Sequence, residues 1–343
     1  MAGSGKAHLR ATGDVLLRVE DLVVEFPVGR TGLKVHAVSG ISFDVLRGET
    51  LGVVGESGCG KSTTGKAMMM LPRPNSGSVE FEGTELTDLP AAAMRAARTR
   101  MQMIFQDPIS SLNPRRKVRD IVREPLAIWK RGTQAEQLAK VDKLLEEVGI
   151  DPVRAGESQA HQFSGGQCQR ISIARSLVLD PTLIICDEPV SALDVSVQAQ
   201  VLNLLEDLKA KYGLTLVFIA HDLAVVKNIS DRIQVMYLGK ICEVAPSDAM
   251  YSSPAHHYTK LLLDSIPVPN PEVAVQQVTV QGEPPSPVLP PPGCRFNPRC
   301  PAADDRCRAE EPQLREVAKD HFVACHHPLF GGEAPVAVRS ATG

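Results

Sequence analysis

From Val15 to Phe26 apolar and polar residues alternate, with Leu17, Val19, Leu22 and Val24 as the apolar members. That period of two marks a half-buried strand. A glycine-containing gap at Gly29–Lys34 leads to a second strand at about His36–Leu46, and Arg47-Gly48-Glu49 turns the chain. Thr50–Val54 is apolar enough to be a buried strand, and Thr63–Met70 reads as helix. Gly77–Gly83 reads as strand and turn, Pro90–Arg100 as a short helix, and Met101–Pro108 as a buried strand ending in a polar loop. Beyond it the pattern turns helical: Val141, Leu144, Leu145 and Val148 fall at i, i+3, i+4 and i+7. Residues 107–180 are therefore expected to form a helical subdomain. Strand character returns at Thr182–Cys186, Leu214–Ala220 and Arg232–Leu238, with helices at Val195–Tyr212 and Leu223–Ile229 between. Alternating strands and helices predict a layered α/β core.

The remaining segments read differently. Residues 1–14 are expected to be a disordered leader before a body spanning 15–263. Residues 264–292 carry nine prolines, a semi-rigid linker composition, with Val273–Val280 able to form a strand inside it. A cysteine-rich extension at 293–330 and a flexible tail at 331–343 complete the chain.

Charge and composition remove several function classes. At 343 residues the chain suggests about two domains, one with a substantial core. Net charge is −3, and basic residues cluster only briefly, at Arg95–Arg100 and Arg115–Arg119. Binding to a nucleic-acid duplex needs concentrated positive charge, so it is not expected. No apolar run approaches the roughly 18 residues of a membrane helix. Met1–Gly13 lacks a hydrophobic signal region, so a cytosolic location is expected, with any membrane role coming through a partner. Structural disulfides are then not expected among the eight cysteines.

The candidate chemistry begins at Gly55-Glu56-Ser57-Gly58-Cys59-Gly60-Lys61-Ser62, set between strand and helix. That context turns a G-x-x-x-x-G-K-[ST] pattern into a phosphate-binding loop. Its glycines let successive N–H groups point inward, and the new helix adds its positive dipole end. Lys61 is expected on the β- and γ-phosphates and Ser62 on Mg²⁺. Asp187 and Glu188 close a buried strand, placed to hold Mg²⁺ and to polarise an attacking water. Phe163-Ser164-Gly165-Gly166-Gln167 opens a helix and offers a hydroxyl and bare N–H groups to an anion.

Taken together, these residues resemble the ATP-binding subunit of ABC transporters over about residues 15–250. The phosphate loop, the Q-loop Gln106, the signature Ser164–Gln167, the pair Asp187-Glu188, the D-loop Ser191–Asp194 and the switch His221 follow in order. Gly55–Gly60, Phe105–Pro108 followed by Ser111–Arg115, and the cysteine tail resemble the oligopeptide/dipeptide importer branch in particular. Two positions depart from it: Cys168 stands where a basic residue is usual, and His257 where proline is usual.

The resemblance implies a P-loop NTPase fold of ABC type with an antiparallel β subdomain and a helical subdomain. It implies ATP and Mg²⁺ at a head-to-tail dimer interface, where one subunit's phosphate loop, including Thr63, faces the other's Ser164, Gly165, Gly166 and Gln167, with Asp194 beside it. Ser62, Gln106 and Asp187 would place Mg²⁺, Glu188 would act as general base, His221 would contact the γ-phosphate and Phe26 would stack on adenine. Asp107 and Pro108 lie where family members meet the membrane subunit. The implied partners are a second ATPase subunit, a related one favoured over a second copy, two permease subunits and an extracytoplasmic solute-binding protein. The implied location is the cytoplasmic face of the membrane. The alternative class, a soluble ABC ATPase acting on nucleic acid or ribosomes, predicts tandem halves, a coiled-coil insertion or a basic face, and none is visible here.

Cys294, Cys300, Cys307 and Cys325, with His326 and His327 adjoining, suggest a metal centre. Their spacing fits neither a C-x₂-C zinc pattern nor a ferredoxin pattern, so iron–sulfur, zinc (with His326 as a fourth ligand) and free thiols all stay open. The resemblance implies a four-iron, four-sulfur ([4Fe-4S]) cluster on the four cysteines. Its loss is expected to loosen the tail and leave nucleotide binding largely intact.

Overall fold

The computed structural model describes residues 5–266 and 282–330. The strand expected at Val273–Val280 and the tail 331–343 lie outside them. Twelve strands order the described chain. β1 (Val15–Pro27) and β2 (Lys34–Leu46) pair antiparallel. Leu17 and Val19 are odd-numbered, Leu22 and Val24 even-numbered, yet all four are buried. A register shift between Val19 and Leu22, with Asp21 at φ 51°, returns the apolar set to one face.

β3 (Thr50–Val54) leaves this sheet, which β4 (Ser76–Phe81) and β5 (Thr84–Glu85) complete in the order β2-β1-β4-β5. The second sheet adds β6 (Met101–Ile104), β7 (Leu183–Asp187), β8 (Thr215–Ala220), β9 (Arg232–Tyr237), β10 (Lys240–Pro246), β11 (Arg315–Ala318) and β12 (His321–Val323). Its order is β11-β12-β10-β9-β3-β8-β7-β6. β9, β3, β8, β7 and β6 run parallel. Parallel strands covered on both faces carry continuous apolar runs, which is why Leu183–Cys186 shows no alternation.

Helices cover the parallel strands. α1 (Lys61–Met68) follows β3, and α2 (Ala91–Ala97) precedes β6. The helical subdomain between β6 and β7 holds α3 (Pro108–Ser111), α4 (Val118–Ile128), α5 (Gln134–Glu147), α6 (Pro152–Glu157) and α7 (Gly165–Leu177). Thr133 and Glu136 form a capping box that starts α5, a device worth about 1 kcal/mol. The face Val141, Leu144, Leu145 and Val148 is buried, as the spacing predicts. α8 (Val195–Tyr212) ends on Gly213 at φ 62°, and α9 (Leu223–Ile229), α10 (Ser247–Ser252), α11 (His257–Asp264) and α12 (Asp305–Ala309) follow.

Two expectations need correction. Residues 5–14 are not a disordered leader: they lie against the sheets. Lys6 pairs with Glu20 at 2.7 Å and Asp21 at 2.8 Å, and His8 Nε2 meets the Ser42 carbonyl at 2.6 Å. Arg10 bridges Asp44 at 2.7 Å and Glu49 at 2.6 Å, beside Arg232. These are tertiary ion pairs, so local composition could not reveal them.

The cysteine-rich segment is likewise no separate appendage. β12 pairs with β10 through Glu243↔Val323 and Val244↔Phe322, so the extension continues the main sheet. Buried Glu243 receives His321 Nε2 at 2.6 Å and the backbone N–H groups of Ala255 and His256 at 2.7 and 2.8 Å.

Candidate nucleotide site

β3 delivers the glycine loop at the carboxyl end of the parallel strands, where open α/β sheets bind ligands. The loop needs its glycines. Gly60 sits at φ 104°, and a Cβ there would stand 2.1 Å from the Ala37 carbonyl oxygen. A Cβ on Gly55 would stand 2.1 Å from the Met236 carbonyl oxygen. The Lys61 ammonium is buried and curls back onto its own loop, donating to the carbonyls of Gly55 at 2.7 Å and Glu56 at 3.0 Å. It is thus a held cation at the point where phosphate oxygens can replace those carbonyls.

The Ser62 hydroxyl donates to Asp187 Oδ1 at 2.6 Å, which joins the first turn of α1 to the end of β7. Burial pushes the Asp187 carboxyl up, opposed by that hydroxyl and by the charges of Lys66 and Lys61. A divalent cation beside a buried carboxylate reverses such a shift. Glu188 follows at φ 48°, a left-handed conformation costly for a non-glycine residue. Its carboxylate accepts from Gln106 Nε2 at 3.0 Å and lies 3.4 Å from His221 Nδ1. Three loops that follow β6, β7 and β8 therefore converge on one carboxylate.

These residues line one cleft of about 550 Å³, with Phe26, Val35, Ala37, Ser57, Gly58, Gly60, Lys61, Ser62, Thr63, Gln106, Glu188 and His221 on its walls. Phe26 stands partly exposed at the rim, where β1 pairs with β2 through Phe26↔Val35. Glu56 and Cys59 belong to the loop but do not line the cleft. Neither do Ser164, Gly165, Gly166, Gln167 or Asp194. Ser164 caps α7 in a reciprocal box with Gln167, and Asp194 is the N-cap residue of α8. Within one chain the signature segment is thus a preformed helix start that does not line the cleft.

Comparison with known proteins gives this arrangement a family. Residues 38–191 match the ABC transporter family, and residues 242–307 match the oligopeptide/dipeptide transporter C-terminal region. The chain is 48% identical over 325 residues to the oligopeptide transport ATP-binding protein AppF of Bacillus subtilis, covering 92% of this chain and 98% of that one. The chain belongs to the ATP-binding subunits of oligopeptide/dipeptide ABC transporters. A putative peptide import ATP-binding protein of Brucella ovis is 49% identical over 310 residues, covering 90% of this chain and 97% of its own. Among solved structures, the ATP-binding cassette MJ0796 in a dimeric post-hydrolysis state bound to ADP and Pi superposes with a TM-score of 0.62. It has 26% identity and covers 67% of this chain and 98% of its own. The fold is the ABC ATPase cassette, and the family is one of ATPases. Among the described residues no helix of this ABC subunit is long and apolar enough to cross a membrane.

The four C-terminal cysteines of the ABC subunit gather at one end of the main sheet. Cys294 N–H donates to the Cys307 carbonyl at 2.8 Å. Burial pushes the Cys294 and Cys325 thiols up, to about 11 and about 12, and neighbouring members of the four add to both shifts. Cys242, remote from them in sequence, is raised by burial and by Cys294 and Cys325 as well.

Among the described residues, metal-binding atoms of three side chains come within 4.8 Å of one another only at Asp304, Cys307 and His327. Asp304 is already committed there, capping α12 through Cys307 N–H at 2.9 Å and meeting His327 Nε2 at 2.8 Å. His326, the fourth ligand of the zinc alternative, places its Nε2 3.0 Å from the Glu310 carbonyl. The departure at Cys168 also resolves: the residue is buried, its thiol donating to the Ala160 carbonyl at 3.4 Å. It packs the helical subdomain.

Sequence reasoning missed Arg299, Tyr237 and Tyr258. The Arg299 guanidinium grips Glu56 of the phosphate loop, and the Tyr258 hydroxyl accepts from Glu56 N–H at 2.7 Å. An arginine beside a cysteine carries no local signal of such a distant partner.

Proposed function

We propose that this chain is the ATP-hydrolysing subunit that powers import of peptides or related small solutes through membrane permease subunits. The observation that carries the reading is the cleft in which a held lysine, Ser62 and a carboxylate braced by Gln106 and His221 face one another, with Asp187 bonded to Ser62 behind the cleft wall. Lys61 and the loop N–H groups bind the phosphates of ATP, and Ser62, Asp187 and Gln106 hold Mg²⁺. When bound, the ion neutralises charge on the transferred phosphoryl group. Glu188 accepts a proton from the attacking water and His221 orients the γ-phosphate. Phe26 stacks on adenine. The absence of Ser164–Gln167 and Asp194 from the walls of this cleft supports a site completed by a second ATPase subunit; the resemblance to the importer branch favours a related chain over a second copy. Two permeases, an extracytoplasmic solute-binding protein and a place on the cytoplasmic face of the membrane follow from that reading. The similarity to AppF, an oligopeptide transport protein, and to the putative peptide import protein of Brucella ovis favours transport over action on nucleic acid.

For the tail we propose a [4Fe-4S] cluster on Cys294, Cys300, Cys307 and Cys325. The reading is supported by the shared neighbourhood of the four thiols: Cys294 N–H donates to the Cys307 carbonyl, and, after burial, Cys294, Cys300 and Cys307 all raise the Cys325 thiol. The bound cluster supplies a crosslink between the segments before and after α12. Iron and sulfide near four per chain in anaerobically purified protein are expected, and stoichiometric zinc contradicts the assignment.

The functional test is peptide uptake in cells lacking this gene. Wild-type protein restores growth on peptides as sole nitrogen source, and Glu188→Gln does not. Equal rescue by both proteins refutes the reading.

A further inference from the structure

The stretch Cys294–Cys300 touches the phosphate loop at Glu56 and the β9–β10 turn that holds the loop at Cys59. At one end Arg299 Nη1 and Nη2 donate to Glu56 Oε2 and Oε1 at 2.8 and 2.9 Å, a forked pair. The Arg299 side chain is only 4% exposed and stands over the Tyr237 and Phe296 rings. Its Nη1 also lies 3.3 Å from the Tyr237 hydroxyl. Tyr237, Tyr258 and Phe296 stack together, with centroids 4.6 to 5.4 Å apart, and Tyr258 accepts the Glu56 N–H. At the other end Gly239 N–H donates to the Cys59 carbonyl at 2.8 Å, while Arg295 donates to the adjacent Leu238 carbonyl.

We propose that Arg299 is a positioning residue for ATP: it neutralises Glu56 and turns that carboxylate out of the cleft, so that the phosphate loop meets the triphosphate without a competing anion. Glu56 sits in the loop that receives the most negative part of the nucleotide, yet its side chain is absent from the cleft wall. Without the guanidinium, an unpaired carboxylate stands beside the phosphates and repels them. The contact ties the cysteine-rich tail to the phosphate loop.

The test rests on reading Gly55–Ser62 as the ATP loop, and Lys61→Ala checks that reading separately. ATP dissociation constants and steady-state kinetics are measured on the full chain for wild type, Arg299→Ala, Glu56→Gln and the double variant. Arg299→Ala is expected to weaken ATP about tenfold through KM, with kcat within about twofold. Adding Glu56→Gln to Arg299→Ala restores most of the loss, a rescue that general damage to the fold would not show. Unchanged affinity in Arg299→Ala, or no rescue in the double variant, overturns the proposal. If Arg299→Ala does not fold, Arg299→Lys is read instead. It keeps the charge but loses the fork, and should weaken ATP about threefold, with rescue by Glu56→Gln. No change there also overturns the proposal. If Lys61→Ala binds ATP normally, the loop assignment itself has failed.

Discussion

Replacing Gly60 with alanine should disable the site through backbone geometry alone. Gly60 lies at φ 104°, and the added Cβ would stand 2.1 Å from the Ala37 carbonyl oxygen and 3.6 Å from Gly239 Cα. Real Cβ contacts essentially never fall below 3.0 Å, so loop and strand must part by about 0.9 Å, the difference 3.0 − 2.1. The obstacle is backbone carbonyl rather than a side chain that can rotate away. The backbone conformation alone costs about 1–3 kcal/mol. Lys61 is the next residue, so its ammonium and the first turn of α1 move with the loop. Misplacement by about 1 Å costs on the order of 100-fold in function, equivalent to about 2.7 kcal/mol of binding. Gly48→Ala provides the control, because Gly48 has φ 74° with nothing within 4 Å of the added atom. Urea unfolding and ATP titration are run on both variants. The expected result is about 1–2 kcal/mol of destabilisation for Gly48→Ala with ATP affinity unchanged, and a roughly 100-fold affinity loss for Gly60→Ala. Gly60→Ala protein that binds ATP within about fivefold of wild type refutes the geometric reasoning.

Two further predictions concern stability. Arg232 joins Asp44 at 3.0 Å and Glu49 at 2.9 Å in a nearly dry site. Burial pushes Asp44 up, but the Arg10 amide and the Arg232 and Arg10 charges outweigh it and hold the carboxyl below its usual range. Arg232→Ala should cost about 3 kcal/mol in urea unfolding, the low end for a broken buried pair because Arg10 still contacts both carboxylates; a loss under about 1 kcal/mol contradicts this. His256 caps α11 by accepting Tyr258 N–H at 3.0 Å, and burial pushes its imidazole down to about 4. Its unfolded value is near 6.5, so the unfolded chain binds the extra proton first and stability falls with decreasing pH between about 6.5 and 4. From pH 7 to pH 5 this group should contribute a loss of about 2 kcal/mol. His256→Asn keeps a cap acceptor and should remove that part of the slope; an unaltered slope contradicts the assignment.

How much of this was legible beforehand depended on how local each cause is. The buried strand Thr50–Val54, the glycines after it and the apolar face of α5 each carry their reason within a few residues, and all appear where the pattern puts them. The convergence of Gln106, Glu188 and His221 was readable only as an order of motifs, because three separate strands bring them together. Contacts between residues far apart in sequence left no trace. Arg299 and Glu56 are separated by 243 positions, and Arg10 looked like leader until Asp44 and Glu49 folded beneath it. Cys242 precedes Cys294 by 52 positions, yet β10 carries it beside Cys294 and Cys325.

The most direct measurement is calorimetric titration of Mg²⁺·ATP into wild type, Lys61→Ala and Glu188→Gln, with phosphate release followed on the same samples. One cleft that both holds and hydrolyses ATP predicts that Lys61→Ala loses binding, while Glu188→Gln binds as wild type does and releases no phosphate above background. Undiminished binding in Lys61→Ala, or wild-type hydrolysis in Glu188→Gln, would contradict it.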